Sequence, residues 1–130
     1  HPCPIAAIGY CFGGATVMQI AYTGNHLTAV TSFRESPPVA NPEQARTIKG
    51  AVYVAHGEAD AFIPHEWVTT FQGTLDDAGA DLQCGSFPGV RQAFTNPGAD
   101  AVGMEDLRYD RDAGQQSWQQ SHLFSNKMFN

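Results

Sequence analysis

Apolar residues along this chain gather in short runs, and the stretches between them repeat with helical spacing. The runs at Ile5 to Ile8, Leu27 to Phe33, Ala51 to Ala55 and Leu82 to Phe87 have the length of strands, and the second is rich in β-branched residues. Ala15 to Tyr22 reads as a helix ending at Gly24. Glu66 to Ala78 sets Trp67 or Val68, Phe71, Leu75 and Ala78 at helical spacing, with Pro64 near its start and Gly79 at its end. A shorter helix is expected from Pro42 to about Thr47, and a terminal one over about Asp112 to Lys127 with Trp118 and Phe124 turned inward. Ser36 to Asn41 and Asn96 to Glu105, punctuated by proline and glycine, read as loops. Strands alternating with helices predict an α/β fold of about four parallel strands covered by helices.

Length and composition narrow this picture. One domain over residues 1–130, with 42% hydrophobic residues, is enough for a core. The formal net charge is −6 and the seven basic residues are scattered, so nucleic acid is not an expected partner. No run approaches the roughly 20 apolar residues of a membrane span and no signal peptide leads the chain, so the expectation is a cytoplasmic protein without a membrane partner. Three cysteines, Cys3, Cys11 and Cys84, suit a reducing compartment, and Cys84 is expected in the core. Neither Cys-x-x-Cys nor His-x-x-x-His occurs, so no metal and no cofactor is expected.

The candidate chemistry lies at Gly9-Tyr10-Cys11-Phe12-Gly13-Gly14, between the first strand and the first helix. A nucleophile on a tight strand-to-helix turn needs small residues two positions before and after it, which Gly9 and Gly13 supply. A helix starting just after Cys11 would aim unpaired backbone N–H groups at the thiol, favouring the thiolate and later an oxyanion. A buried cysteine beside a glycine turn is the bland alternative. The turn lacks both the second glycine of a dinucleotide fingerprint and the Gly-Lys-Ser/Thr of a phosphate loop.

Three segments in order, this elbow, His56-Gly57-Glu58-Ala59-Asp60-Ala61-Phe62-Ile63-Pro64, and Phe87-Pro88-Gly89-Val90 with Ala93-Phe94-Thr95-Asn96-Pro97, resemble the dienelactone hydrolase family of α/β-hydrolases. The similarity runs from about Ile5 to the Trp118 helix. It implies a partial α/β-hydrolase fold without its N-terminal strands, Cys11 as nucleophile, Phe12 as an oxyanion-hole N–H and Asp60 as the carboxylate that orients a histidine. The histidine position holds Gln92, and Ser32-Phe33-Arg34 stands where members often read Ser-Phe-His. Glutamine takes no proton at neutral pH, so deacylation loses a base typically worth about 10²- to 10⁴-fold.

Each of these residues has a second reading. Asp60 could cap the helix that follows Pro64. Arg34 and Arg91 could be solvated surface charges; facing the cleft, Arg91 beside Gln92 would attract a carboxylate. His56 and His65 are candidate substitute bases, for which surface or loop-capping roles are the simpler reading. The expected function is hydrolysis of small esters or lactones through Cys11, impaired by the missing histidine; the alternative is a non-catalytic relative acting as a binding or self-associating module. Half of a doubly wound sheet leaves an edge or an apolar face, so a homo-oligomer, or pairing with a missing N-terminal segment, is expected.

Overall fold

The structure, a computed structural model, describes residues 3–33 and 41–129. Arg34, and most of the loop expected at Ser36 to Asn41, lie outside the described residues. Four strands, β1 (Ala6–Tyr10), β2 (Ala29–Phe33), β3 (Ala51–Gly57) and β4 (Leu82–Phe87), form one parallel sheet in the order β1-β2-β3-β4. The helices are α1 (Phe12–Tyr22), α2 (Pro42–Arg46), α3 (His65–Asp77) and α4 (Arg111–Phe129), with a 3₁₀ turn at Ala99–Val102 inside the loop expected from Asn96. None of the described helices is long and apolar enough to cross a membrane.

Alternation along the strands builds two cores. Val30, Val52 and Val54 face α1 and α3, where Met18, Phe71 and Leu75 are buried. Ala29, Phe33, Tyr53 and Phe87 face the other way, onto Phe94 and onto Ala113 and Phe124 of α4. Sealing one such Leu or Phe side chain from water stabilises the fold by about 1.5–3 kcal/mol. Both central strands, β2 and β3, are buried throughout, as parallel strands with helices on both faces must be.

Local chemistry sets the boundaries. Asn41 and Gln44 make a reciprocal capping box at the start of α2, and Pro64 precedes α3. Gly79, with φ 75°, follows the last turn of α3. Phe124 packs inward as expected; Trp118 reaches the sheet, where its ring stacks on Phe33 of β2 at 6.5 Å between centroids, but it stays half exposed instead of joining the core. Strand β3 runs two residues past Ala55, since His56 and Gly57 continue the ladder with Ser86 and Phe87.

Candidate active site

The first helix begins at Phe12, one residue after the cysteine, three positions earlier than the apolar spacing suggests. Cys11 itself has φ 52° and ψ −123°. A non-glycine residue in such a conformation costs on the order of 1–3 kcal/mol and persists only where its surroundings enforce it. Those surroundings are visible. The Cys11 N–H donates to the Phe33 carbonyl at 3.0 Å, and the Cys11 carbonyl accepts from Gly14 at 2.8 Å and Ala15 at 3.3 Å. A Cβ on Gly9 would overlap the Gly13 carbonyl, so α1 crosses β1 this closely only over glycine. Gly13 differs from expectation: a Cβ there would meet nothing within 4 Å, so its backbone, and not its missing side chain, is what the turn uses. Cys11 is half-buried and forms no disulfide. The Phe12 N–H leads the helix, among the donors that intrahelical bonding leaves over.

Asp60 lies beyond β3 and Gln92 beyond β4, and the fold brings them into contact. With the amide oriented so that donor meets acceptor, the Gln92 nitrogen donates to both Asp60 carboxylate oxygens at 2.9 Å. Asp60 Oδ1 also accepts the Phe62 N–H at 2.9 Å, a turn within its own loop, so Asp60 does not cap α3. Asp60 is buried. Burial pushes its carboxyl above the ordinary value, the Phe62 N–H opposes this, and Asp106 adds to it. Backbone bonds from Glu58 to Phe87 and from Ala59 to Val90 lock this loop to the one after β4. Behind Gln92, Ala93 has φ 62°. Cys11 and Ala93 are the non-glycine residues with positive φ among those described, and both adjoin the candidate site. Ala93 was not singled out from sequence; beside it the Arg108 N–H donates to the Gln92 carbonyl at 3.0 Å, a long-range bond that no local pattern records.

The remaining candidates divide. Arg91 donates to the Glu105 backbone carbonyl at 2.8 Å and lines a cavity of about 580 Å³ with Arg108, Asp100 and Glu105, so it braces a loop in surroundings of both charge signs. His56 is not on a surface loop: it is buried in β3, shares a 2.8 Å hydrogen bond with Ser86, and has its pKa lowered by burial. His65 opens α3. No described group of three or more His, Cys, Asp or Glu residues could hold a metal ion. A cavity of about 470 Å³, lined by Tyr10, Phe33, Tyr109, Arg111 and Trp118, opens beside the elbow on the α4 side of the sheet. Cys11, Asp60 and Gln92 thus all follow the carboxyl ends of parallel strands, the edge at which open α/β sheets bind ligands.

The dienelactone hydrolase family model matches residues 2–129. The chain belongs to the dienelactone hydrolase family. No curated protein matches it significantly. Among solved structures, it is 31% identical to a dienelactone hydrolase-like promiscuous phosphotriesterase from metagenomic libraries, with a TM-score of 0.91 over 96% of this chain and 52% of that one. A structure titled m3DLH is 33% identical, with a TM-score of 0.90 and the same coverage. A putative dienelactone hydrolase from Klebsiella pneumoniae subsp. pneumoniae, 21% identical with a TM-score of 0.73 over 89% of this chain and 49% of that one, shares the fold. This dienelactone hydrolase-family chain therefore spans about half the length of the solved structures it resembles.

Proposed function

We propose that this chain carries the nucleophile, acid and former base positions of a hydrolase of small esters or lactones. The observation that carries the reading is the backbone of Cys11, held at positive φ on a strand-to-helix turn that Gly9 alone permits. In the proposed reaction the Cys11 thiolate attacks the carbonyl carbon, the Phe12 N–H stabilises the oxyanion, and collapse releases the alkoxide, which takes a proton from water. The thioester left on Cys11 is then hydrolysed by water. Asp60 supplies the carboxylate that a histidine at position 92 would need; Gln92 holds that carboxylate without accepting a proton, so activity is low.

The test is turnover of p-nitrophenyl acetate by this chain and by Gln92→His, each with a Cys11→Ala control. The expected result is a gain of about 10²-fold or more on restoring histidine, abolished with Cys11. Paraoxon is a useful second substrate, because the metagenomic relative is named a promiscuous phosphotriesterase. A specific observation favours the alternative reading. The amide of Gln92 satisfies both oxygens of Asp60, as expected of a site kept for structure or binding. On that reading neither protein shows Cys11-dependent turnover.

A further inference from the structure

At the carboxyl ends of β3 and β4, one pair of side chains takes no part in the candidate site. His56 and Ser86 stand opposite one another in the ladder. Val52 and Val54 face α1 and α3, so by the alternation of a strand His56 does too, away from the cavity beside α4. His56 is buried, whereas Ser86 is exposed, and Ser86 Oγ lies 2.8 Å from His56 Nε2. The pair is built by β3 and β4, the two strands furthest from β1.

The direction of that bond follows from what else the ring touches. A hydrogen bond to the Gly57 backbone pushes the His56 pKa up, as a carbonyl does when it accepts a ring N–H. With Nε2 turned to Ser86, that N–H is at Nδ1, so Nε2 keeps its lone pair and the Ser86 hydroxyl donates to it. Burial outweighs the backbone bond and keeps the imidazole neutral at neutral pH. A hydroxyl on a base whose far nitrogen is itself fixed is the arrangement of an activated nucleophile. The backbone adds a donor. The Val52 N–H donates to the Asp81 carbonyl and the Glu58 N–H to the Phe87 carbonyl, so odd-numbered residues along β4 bond to β3. Ser86 therefore turns its own N–H away from β3, beside its Oγ, where an oxyanion would form.

We propose that Ser86 and His56 are a second nucleophile and base, which take the acyl group of an activated ester onto Ser86. Ser86 Oγ attacks the ester carbonyl carbon as its proton passes to His56 Nε2. The tetrahedral intermediate then expels a leaving group that needs no protonation, such as p-nitrophenolate, and the imidazolium gives its proton to water. The product is an acyl ester of Ser86. Its own leaving group, the serine alkoxide, is a poor one, so with a single backbone donor the acyl group stays on. The reaction is therefore stoichiometric and differs from turnover at Cys11, on which the proposal does not rest.

The test is made on the full chain carrying Cys11→Ala, so that the first nucleophile contributes nothing. The probe is p-nitrophenyl acetate, and mass spectrometry counts and maps the acetyl groups. The expected result is acetylation of Ser86, abolished by Ser86→Ala and slowed about 10²-fold by His56→Gln, whose amide can hold the hydroxyl without accepting its proton. The pH profile keeps the test decisive if circular dichroism shows that His56→Gln disturbs the fold. Ser86, Gly57, Glu58 and His65 are the groups that act on the ring. With His56 as base, the rate at Ser86 is level above the ordinary value of 6.5 and falls as pH drops toward the folded value below it. A hydroxyl without a base instead reacts faster with every rise in pH. Acetyl groups only on Lys49, Lys127 or other residues, an unchanged rate in a folded His56→Gln, or a rate that climbs throughout overturns the proposal.

Discussion

Gly9 shows how closely the elbow depends on single atoms. A methyl at that position would overlap the Gly13 carbonyl, and Gly13 is held in the first turn of α1 while Gly9 is held in the β1 ladder. Neither can yield without shifting a whole element. Gly9→Ala is therefore expected to destabilise the protein by at least about 2 kcal/mol, a value that urea unfolding monitored by circular dichroism measures directly. Gly13→Ala meets no such wall and is expected to be nearly neutral in the same assay. The sequence pattern named both glycines but assigned them equal importance, because spacing shows where small residues stand and not which backbone needs the room. The Asp60–Gln92 contact was legible in another way, through three ordered segments that resemble one family. The strain at Ala93 was not legible at all.

Elements were readable where packing agrees with local preference. Strand β4 ends where its apolar run ends, and α3 starts one residue after Pro64 and stops two residues before Gly79, within a residue of the expected Glu66 to Ala78 at each end. The first turn of α1 was hidden, since Gly13 and Gly14 are poor helix formers, while the Cys11 carbonyl, which accepts from Gly14 and Ala15, ties this turn to the strand. Trp118 was legible only in part, because helical spacing places it toward the sheet, where it meets Phe33, but does not show that half its surface stays exposed. One contact ties α4 to the sheet more specifically than its apolar face does. The Tyr53 hydroxyl donates to Gln120 Oε1 at 2.7 Å, and a Cβ on Gly85 would crowd both groups. Tyr53 is fully buried, and burial holds its phenol well above the ordinary pKa, so it remains a donor at any physiological pH. Tyr53→Phe is expected to cost about 1 kcal/mol in the urea midpoint. Combined with Gln120→Ala it should cost less than the sum of the two single changes, which a double-mutant cycle reads.

At the scale of the molecule, two buried ionisable groups act on stability in opposite directions, and their pH windows separate them. His56 faces Ser86 across the ladder, with Glu58 following it in the chain and His65 at the start of α3. Burial lowers its pKa, Gly57 and Glu58 push back, and His65 adds to the lowering. The unfolded chain therefore takes a proton at position 56 more readily than the folded one. Stability from this residue is complete above the ordinary value of 6.5 and is lost as pH falls toward the folded value below it. Asp60 works in the reverse sense. Its raised pKa means that the folded state prefers the protonated carboxyl, so stability is regained as pH falls through the folded value toward the ordinary 3.8. The expected profile of urea midpoint against pH drops below about 6.5 and then flattens in the carboxylate range. His56→Gln removes the first limb and leaves the second, whereas Asp60→Asn removes the second and leaves the first. Gln92→His adds a further signature: a protonated imidazole beside the Asp60 carboxylate favours its charged form, so the carboxylate limb should move to lower pH in that variant. That shift requires no turnover. It reports whether position 92 can couple a histidine to the acid, independently of whether Cys11 reacts.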